Sequence, residues 1–199
     1  EGEQVLDLCA GAGGKTLALA AIMGNRGQIF AYDADRNRLA PIYERLKRNG
    51  ARNVQVRAPN PGALDDLAGK MDRVVVDAPC TGTGTWRRRP DTKWKLTPDL
   101  LAQRRSEQAD ILEQALQYLK PGGILAYITC SILPEENDDQ IVAFKTARPV
   151  QSIEVADAWR SALITELPNG LATDAGGLLL SPHRTNTDGF YIHLVRKTA

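Results

Sequence analysis

Near the start of the chain, residues 5–23 read VLDLCAGAGGKTLALAAIM and contain three elements in sequence. Residues 5–9 are mostly apolar and predict a short strand, which one acid, Asp7, interrupts. Residues 10–14 form a glycine-rich turn, where the missing Cβ atoms let the backbone approach a ligand closely. Residues 15–23 are rich in Ala and Leu and predict a helix. This order of elements is typical of the first unit of a nucleotide-binding α/β fold.

Strands continue to alternate with helices along the remainder of the chain. Six further strands are predicted at residues 28–32, 53–57, 72–77, 124–129, 178–180 and 189–195. Helices are predicted at residues 35–49, 98–119 and 134–146, the first two capped by Asp35 and Thr97. Residues 149–177 show only a weak mixture of short strands and loops. The alternation predicts an α/β fold with a doubly wound, mainly parallel, seven-stranded Rossmann-like sheet, in which a C-terminal hairpin adds an antiparallel strand at one edge.

The composition is that of an ordinary globular protein, with 43% hydrophobic and 25% charged residues, and we expect one domain over residues 1–199. No apolar run approaches the length of a membrane span, and no signal-peptide pattern is present. Three cysteines without paired spacing and two histidines predict neither a disulfide framework nor a metal site. We therefore expect a reducing, cytoplasmic location and, by default, a monomer. Because only residues 1–4 precede the first strand, we expect a fragment of a longer protein.

Chemically useful residues follow two of the predicted strands. Asp77 ends the strand predicted at residues 72–77, Cys80 lies three residues beyond it, and Cys130 follows the next strand. Because neighbouring parallel strands lie about 5 Å apart, both thiols are expected to face one cleft. A single cysteine is more often a small buried hydrophobe, but two at corresponding strand ends favour a reaction site. Cys9 has no such setting beyond the glycine turn, and we expect it to be structural.

The glycine turn and the acid that follows it indicate an adenosine-containing cofactor. Asp33 ends the second strand about 20 residues after the turn, the spacing at which a carboxylate binds a ribose hydroxyl. Lys15 lies at a helix start, where a cation is unfavourable. Either it contacts a carboxylate, from the cofactor or from Asp7, or it is a solvated surface lysine. The turn also resembles the dinucleotide fingerprint imperfectly, so a nicotinamide cofactor remains an alternative.

A basic cluster follows the loop that contains Cys80. Residues 87–105 hold seven basic residues against two acids, a local net charge of +5, and tryptophans accompany them. The simplest interpretation is a solvent-exposed segment that precedes the helix predicted at residues 98–119. Its position beside the cysteine loop favours a nucleic-acid interface, in which aromatic rings stack on bases. The candidate RNA-binding residues are Arg87, Arg88, Arg89, Lys93 and Trp94.

Several motifs together resemble the Nop/Sun family of RNA cytosine-5 methyltransferases. The resemblance covers nearly the whole chain, and its two cysteine motifs are its most specific part. The matching segments are DLCAGAGGKT at residues 7–16, DAPCTG at 77–82, RRPDTKW at 88–94, TCS at 129–131 and TDGF at 187–190.

The resemblance implies S-adenosylmethionine as methyl donor and an RNA cytosine as acceptor, in ribosomal rather than transfer RNA. It implies that Cys130 is the nucleophile and that Cys80 assists release of the product. Asp77 is expected to contact the base edge or the methionine end of the cofactor. The cofactor-binding residues expected on this basis are Cys9, Ala10, Gly11, Ala12, Gly13, Gly14, Lys15, Asp33, Arg38, Asn60 and Asp77.

The chain departs from the family pattern at two places. The family usually has Ala-Pro where this chain has Gly11-Ala12. It also tends to place an acid after the third strand, near the adenine, where this chain offers Asn60 as the nearest polar residue. Family members also carry sequence ahead of the first strand, often with an RNA-binding domain.

Two other functions were weighed against RNA methylation. A non-catalytic RNA-binding domain of the same fold would fit the missing acid near Asn60, but not the presence of both Cys80 and Cys130. A nicotinamide-dependent oxidoreductase is suggested by the glycine turn and Asp33 alone. Binding of S-adenosylmethionine discriminates among the three.

Overall fold

The computed structural model describes residues 1–162 and 166–199, so part of the weakly patterned region 149–177 lies outside the described residues. The strands are β1 (Gln4–Asp7), β2 (Gln28–Tyr32), β3 (Val54–Arg57), β4 (Met71–Asp77), β5 (Leu119–Thr129), β6 (Val150–Ile153), β7 (Leu171–Ala172), β8 (Leu178–Leu180) and β9 (Phe190–Lys197). The helices are α1 (Gly14–Ile22), α2 (Arg36–Leu39), α3 (Ile42–Asn49), α4 (Asp91–Lys95), α5 (Pro98–Tyr118), α6 (Asp138–Ala147), α7 (Val155–Ala162) and α8 (Pro182–Thr185).

One sheet holds all of the described strands, in the order β3-β2-β1-β4-β5-β9-β8-β7, with β6 also paired to β9. The first five strands pair in parallel, and β9 runs antiparallel to β5, β6 and β8. The predicted fold class and the C-terminal hairpin are confirmed. Nine strands occur among the described residues where seven were expected, because β6 and β7 have four and two residues, too short for a clear alternating pattern. The outermost strand on this side is β7, so β9 lies inside the sheet.

Side chains of the central strands alternate between two apolar cores, one on each face of the sheet. Leu6 and Phe30 pack into the core that α5 and α6 complete, whereas Ile29 belongs with Val5 to the core that α1 completes. Ala31 faces Ile42 and the α2–α3 region. Since consecutive strand residues point to opposite faces, this distribution is what a doubly wound sheet requires.

The helices differ from the prediction by one break at a proline and by three additional helices. The helix predicted over residues 35–49 is broken into α2 and α3 at Pro41, which lacks the N–H needed to continue the first helix. Both predicted caps are confirmed: Asp35 accepts from the N–H of Asn37, and Thr97 accepts from that of Leu100. The short helices α4, α7 and α8 were not predicted. Among residues 1–162 and 166–199, no helix is long and apolar enough to cross a membrane.

The strand order reverses at β1, since β2 and β3 lie on one side of it and β4 and β5 on the other. In doubly wound sheets a crevice opens at such a reversal, beyond the carboxyl ends of the strands. The ends of β1, β4 and β5 carry the predicted glycine turn and the two cysteine motifs. The topology therefore brings the separate sequence motifs to one edge of the sheet.

Candidate active site

The glycine turn after β1 forms the wall of a cavity of about 330 Å³. The Gly11 N–H donates to Asp33 Oδ2 over 2.9 Å, and the Asp33 side chain is almost fully enclosed. Arg38 lies 3.9 Å from the same carboxylate oxygen. The residues that line this cofactor cavity are Cys9, Ala10, Gly11, Ala12, Gly14, Lys15, Arg38 and Asp77. Most of the predicted cofactor residues are thus brought together.

Two neighbouring glycines of this turn give a matched test of its geometry. Gly13 has φ of 81°, and a Cβ built there would lie 2.5 Å from Ile42 Cγ1, whereas a Cβ on Gly14 meets nothing within 4 Å. Gly13→Ala is expected to lower the free energy of unfolding by about 2–5 kcal/mol through backbone strain and overpacking. Gly14→Ala, inside α1, should be neutral or stabilising by up to about 1 kcal/mol. Urea unfolding of both variants checks this, and equal effects would contradict it.

Lys15 resolves one alternative left open by the sequence. Its Nζ donates to Asp77 Oδ2 over 2.6 Å, and both side chains remain about one-third exposed. Its partner is therefore Asp77, which was not predicted, rather than Asp7. Asp7 instead accepts from Thr16 Oγ1 over 2.6 Å, and both of these side chains are fully buried. The Asp77 carboxylate lines the cofactor cavity and also the cavity that contains Cys80 and Cys130.

Burial raises the pKa of Asp7 to about 6, against the lowering effect of the Thr16 hydrogen bond. The folded chain therefore holds this proton more tightly than the unfolded chain, so stability falls as pH rises from about 4 to 6 and stays reduced above that range. Asp7→Asn is expected to raise the free energy of unfolding at pH 8 by up to about 3 kcal/mol, with little gain at pH 4. Urea unfolding at both pH values measures this, with Asp110→Asn, exposed on α5, as the control. A gain of equal size at both pH values would show that charge burial is not its cause.

The two predicted reactive cysteines are in contact. Cys80 Sγ lies 3.2 Å from Cys130 Sγ. The hydrogen bond from Cys80 lowers the pKa of Cys130, and the same bond, together with burial, raises the pKa of Cys80. The pair therefore favours a thiolate at Cys130 and a thiol at Cys80. By contrast, burial raises the pKa of the third cysteine, Cys9, to about 12 and makes it unreactive.

A second cavity of about 330 Å³, here called the thiol cavity, opens over this pair. It shares Lys15 and Asp77 with the cofactor cavity, so the two cavities meet at that ion pair. The residues that line it are Lys15, Asp77, Cys80, Thr81, Gly82, Thr85, Arg88, Arg89, Thr92, Cys130 and Phe190. A substrate group on the thiols would therefore lie next to a ligand in the cofactor cavity.

A close backbone approach fixes the loops that carry the thiols. The Gly84 N–H donates to the Cys130 carbonyl over 2.9 Å, and the Gly189 N–H donates to the Gly84 carbonyl over 2.8 Å. A Cβ on Gly84 would lie 2.3 Å from the Gly189 carbonyl oxygen, so only glycine fits. The segment TDGF at residues 187–190 carries part of the family resemblance, but the contact of Gly189 with the cysteine loop does not follow from the sequence.

A buried polar network behind Cys80 was also missed. Glu136 is 0% exposed, and its carboxylate accepts from the N–H and hydroxyl of Thr81 and from Gln108 Nε2. Gln108 Nε2 also donates to the Pro79 carbonyl. The signal in the sequence was weak: a glutamine on the apolar side of α5 and an acid that looked like a helix-start residue.

Part of the basic cluster reaches the thiol cavity. Arg88 and Arg89 line it, and Arg88 Nε also pairs with Asp188 at 2.5 Å in the loop before β9. Lys93 Nζ lies 5.8 Å from the ring centre of Trp94, which is 83% exposed. Of the five predicted candidates, Arg88 and Arg89 therefore line the cavity, whereas Lys93, Trp94 and Arg87, the last of which pairs with Asp188, do not.

Three predicted cofactor residues do not line the cofactor cavity. Gly13 lies against Ile42, and the Asp33 carboxylate accepts from the Gly11 N–H. Asn60 is exposed and accepts from Arg36 over 3.2 Å. The segment after β3 therefore offers no acid and no cavity-lining group at the position expected for adenine recognition.

The sheet order, continued by an antiparallel β9 beside β5, is the Rossmann-like arrangement of methyltransferase domains, and both cavities open at its ligand-binding edge. A family model described as 16S rRNA methyltransferase RsmB/F matches residues 1–196. The chain belongs to this family, which confirms the resemblance to Nop/Sun proteins.

Curated relatives carry the same family identity. Ribosomal RNA small subunit methyltransferase B of Klebsiella pneumoniae (strain 342) is 43% identical over 150 residues, which are 74% of this chain and 34% of that protein. The protein of the same name from Yersinia pseudotuberculosis serotype O:1b (strain IP 31758) is 38% identical over 199 residues, 98% of this chain and 43% of that protein. The chain thus spans less than half the length of these relatives.

A solved structure shares the fold closely. NSun6 from Pyrococcus horikoshii, solved with SFG, superposes with a TM-score of 0.83 at 30% identity, over 99% of this chain and 48% of that one.

Proposed function

We propose that this chain transfers a methyl group from S-adenosylmethionine to carbon 5 of a cytosine in small-subunit ribosomal RNA, through a covalent adduct with Cys130. The observation that carries the proposal is the contact of two thiols, 3.2 Å apart, beside a glycine-walled cavity. The curated relatives support the substrate class, since both are named ribosomal RNA small subunit methyltransferase B.

The cofactor cavity suits S-adenosylmethionine in size and charge. Its volume of about 330 Å³ falls in the range of about 300–1,000 Å³ typical of small-molecule sites. Lys15 and Arg38 offer cations for the carboxylate of the methionine end, and Asp77 offers an anion near the sulfonium. S-adenosylmethionine bound there supplies an electrophilic methyl group. Asp33, at the end of β2, accepts from the Gly11 amide and is the carboxylate that we propose for a ribose hydroxyl of the cofactor.

Cys130 activates the acceptor base. Carbon 5 of cytosine is too weak a nucleophile to take a methyl group directly. Addition of the Cys130 thiolate to carbon 6 makes carbon 5 enamine-like, so that it takes the methyl group as the S–CH3 bond breaks and S-adenosylhomocysteine leaves. The hydrogen bond that lowers the pKa of Cys130 favours the required thiolate. The target base must leave its stack to enter the thiol cavity.

Cys80 serves the release of the product. After methyl transfer, the carbon 5 proton has to leave and the bond between carbon 6 and Cys130 Sγ has to break, a step that needs proton transfer. Cys80 lies within hydrogen-bond distance of Cys130 Sγ, and its raised pKa keeps it protonated until that step. It gives its proton to the departing Cys130 Sγ, and the Cys80 thiolate that results accepts the carbon 5 proton, which returns both cysteines to the thiol form.

The basic cluster holds the RNA over the thiol cavity. Replacing Arg89 and Lys93 together by Ala should reduce the slope of log affinity against log salt by about 1.4, since each lost phosphate contact on single-stranded RNA is worth about 0.7. Lys47→Ala with Arg48→Ala is the matched control, because these exposed cations end α3 at the opposite edge of the sheet. Filter binding at several salt concentrations measures the slope for each double variant. Equal slopes for the two would show that the basic cluster is not part of the RNA interface.

Methylation of RNA is the direct test of the function. The chain is incubated with methyl-labelled S-adenosylmethionine and small-subunit ribosomal RNA, and the RNA is digested to nucleosides. Label in 5-methylcytidine is expected, and RNA made with 5-methylcytidine in place of cytidine should take up none. Binding of S-adenosylmethionine without transfer would favour a non-catalytic RNA-binding domain, and binding of a nicotinamide cofactor instead would favour an oxidoreductase. A single domain, a monomer, the absence of a metal and a cytoplasmic location stay predictions.

A further inference from the structure

We propose that Glu136 is a positioning residue for this reaction: through Thr81 it holds the Cys80 thiol against Cys130 Sγ. The inference rests on the proposed function for its catalytic consequence. The positioning itself is independent of RNA and cofactor.

The carboxylate of Glu136 clamps the residue that follows Cys80. Its Oε1 accepts from the Thr81 N–H over 2.8 Å, and its Oε2 accepts from the Thr81 hydroxyl over 2.5 Å. Both partners are buried, so water cannot replace these bonds. Loss of either bond would leave buried polar groups unsatisfied, which is costly.

The residue that precedes Cys80 is held by the same network. Gln108 Nε2 donates to the Pro79 carbonyl over 2.9 Å and to Glu136 Oε1 over 3.0 Å. Tyr127, in β5, donates its hydroxyl to the Glu136 carbonyl over 2.8 Å. The residues on both sides of Cys80 are therefore held by one hydrogen-bond network, in which Glu136 binds Thr81 directly and is linked to Pro79 through Gln108.

This arrangement cross-links the two cysteine loops. Glu136 ends the 3₁₀ turn Pro134–Glu136, six residues after Cys130 in the chain, while Thr81 belongs to the loop after β4. A shift of Thr81 would move Cys80 Sγ away from its 3.2 Å contact. Since that contact is the main cause of the lowered pKa of Cys130, loss of the clamp should make Cys130 less nucleophilic.

The charge of Glu136 has the opposite effect, which makes the test specific. Its negative charge raises the pKa of both Cys80 and Cys130. If Glu136 acted only as a nearby charge, its removal would lower the pKa of Cys130 and speed alkylation. Positioning predicts slower alkylation instead.

The experiment measures the pH profile of iodoacetamide alkylation at Cys130 by peptide mass spectrometry, in the full chain without RNA or cofactor. Glu136→Gln should slow alkylation at pH 7 about tenfold and move the profile to higher pH. Glu135→Gln, in the same 3₁₀ turn, should match wild type. Thr81→Val, which loses only the hydroxyl bond, should shift the profile in the same direction, and Thr81→Ser should restore it.

An unchanged profile, or faster alkylation, in folded Glu136→Gln would overturn the proposal. If that variant does not fold, Thr81→Val decides alone, and a wild-type profile there counts against the clamp. Turnover assays then separate this inference from the proposed function. If Glu136→Gln shifts the alkylation profile but the wild-type chain methylates no RNA, the clamp stands and the proposed function is refuted. Methylation of RNA by the wild-type chain, together with an unshifted alkylation profile in Glu136→Gln, would refute the clamp and leave the proposed function intact.

Discussion

Cys130→Ala is expected to lower methyl transfer to RNA by at least about 10³-fold, because loss of a covalent nucleophile removes the activated form of the base. Cys130 is the one member of the thiol pair whose pKa is lowered, and it lies in the thiol cavity beside the Lys15–Asp77 pair. Alanine leaves the cofactor cavity untouched, since Cys130 does not line it. Affinity for S-adenosylmethionine should therefore stay within about twofold of wild type, a change of less than about 0.5 kcal/mol.

The measurement is single-turnover transfer of labelled methyl groups to RNA, with cofactor affinity measured by calorimetry on the same sample. Ser161→Ala, exposed on α7, serves as the matched small-residue control and should retain full activity. A Cys130→Ala variant that keeps more than about a tenth of the activity would assign the nucleophile to another group.

Cys80→Ala is expected to trap the reaction after methyl transfer. Addition of Cys130 to carbon 6 does not require a second thiol, whereas departure of Cys130 Sγ loses its hydrogen-bond donor. Multiple turnover should fall by about 10²-fold or more, the size of a lost acid–base group. A covalent protein–RNA adduct should accumulate on ordinary, unmodified RNA and appear as a shifted band on a denaturing gel.

The double variant Cys80→Ala with Cys130→Ala provides the control for that band, because no adduct can form without the nucleophile. After the Cys80→Ala adduct is denatured by heat and digested with a protease, the labelled peptide should contain Cys130. If Cys80→Ala turns over normally with no adduct, another group releases the product, and the contact between the two thiols has a structural role only.

The strand ends explain why so much of the site could be predicted. Asp7, Asp77 and Cys130 each follow an apolar run, and a parallel sheet brings the carboxyl ends of its strands to one edge. Once the alternation of strands and helices is recognised, these motifs must meet. The same reasoning predicts the place of the glycine turn, whereas Arg38, which lies on α2 and also lines the cofactor cavity, was expected from the family resemblance alone.

What the sequence could not predict depends on contacts between distant segments. The partner of Lys15 is Asp77, 62 residues away, and the partner of Arg88 is Asp188, 100 residues away. Neither choice follows from local spacing. Glu136 looked like a favourable acid in a helix start, yet it is buried against Thr81. Asn60 is the nearest polar residue after β3 in the sequence, but its side chain accepts from Arg36 and does not line the cofactor cavity.

The short elements were missed for a different reason. The strands β6 and β7 and the helices α4 and α8 have two to five residues, fewer than the periods that reveal amphipathic patterns. Their conformations depend on neighbours, as β6 does on β9. Local sequence carries little information about such segments.

The most direct test of the covalent mechanism is trapping with RNA that carries 5-fluorocytidine. Fluorine at carbon 5 blocks the final elimination, so a base attacked by Cys130 and methylated stays attached to the protein. With S-adenosylmethionine present, we expect a shifted band on a denaturing gel for the wild-type chain and none for Cys130→Ala. An identical band in Cys130→Ala, or methylation of ordinary RNA by a wild-type chain that forms no band with the fluorinated RNA, would contradict the account.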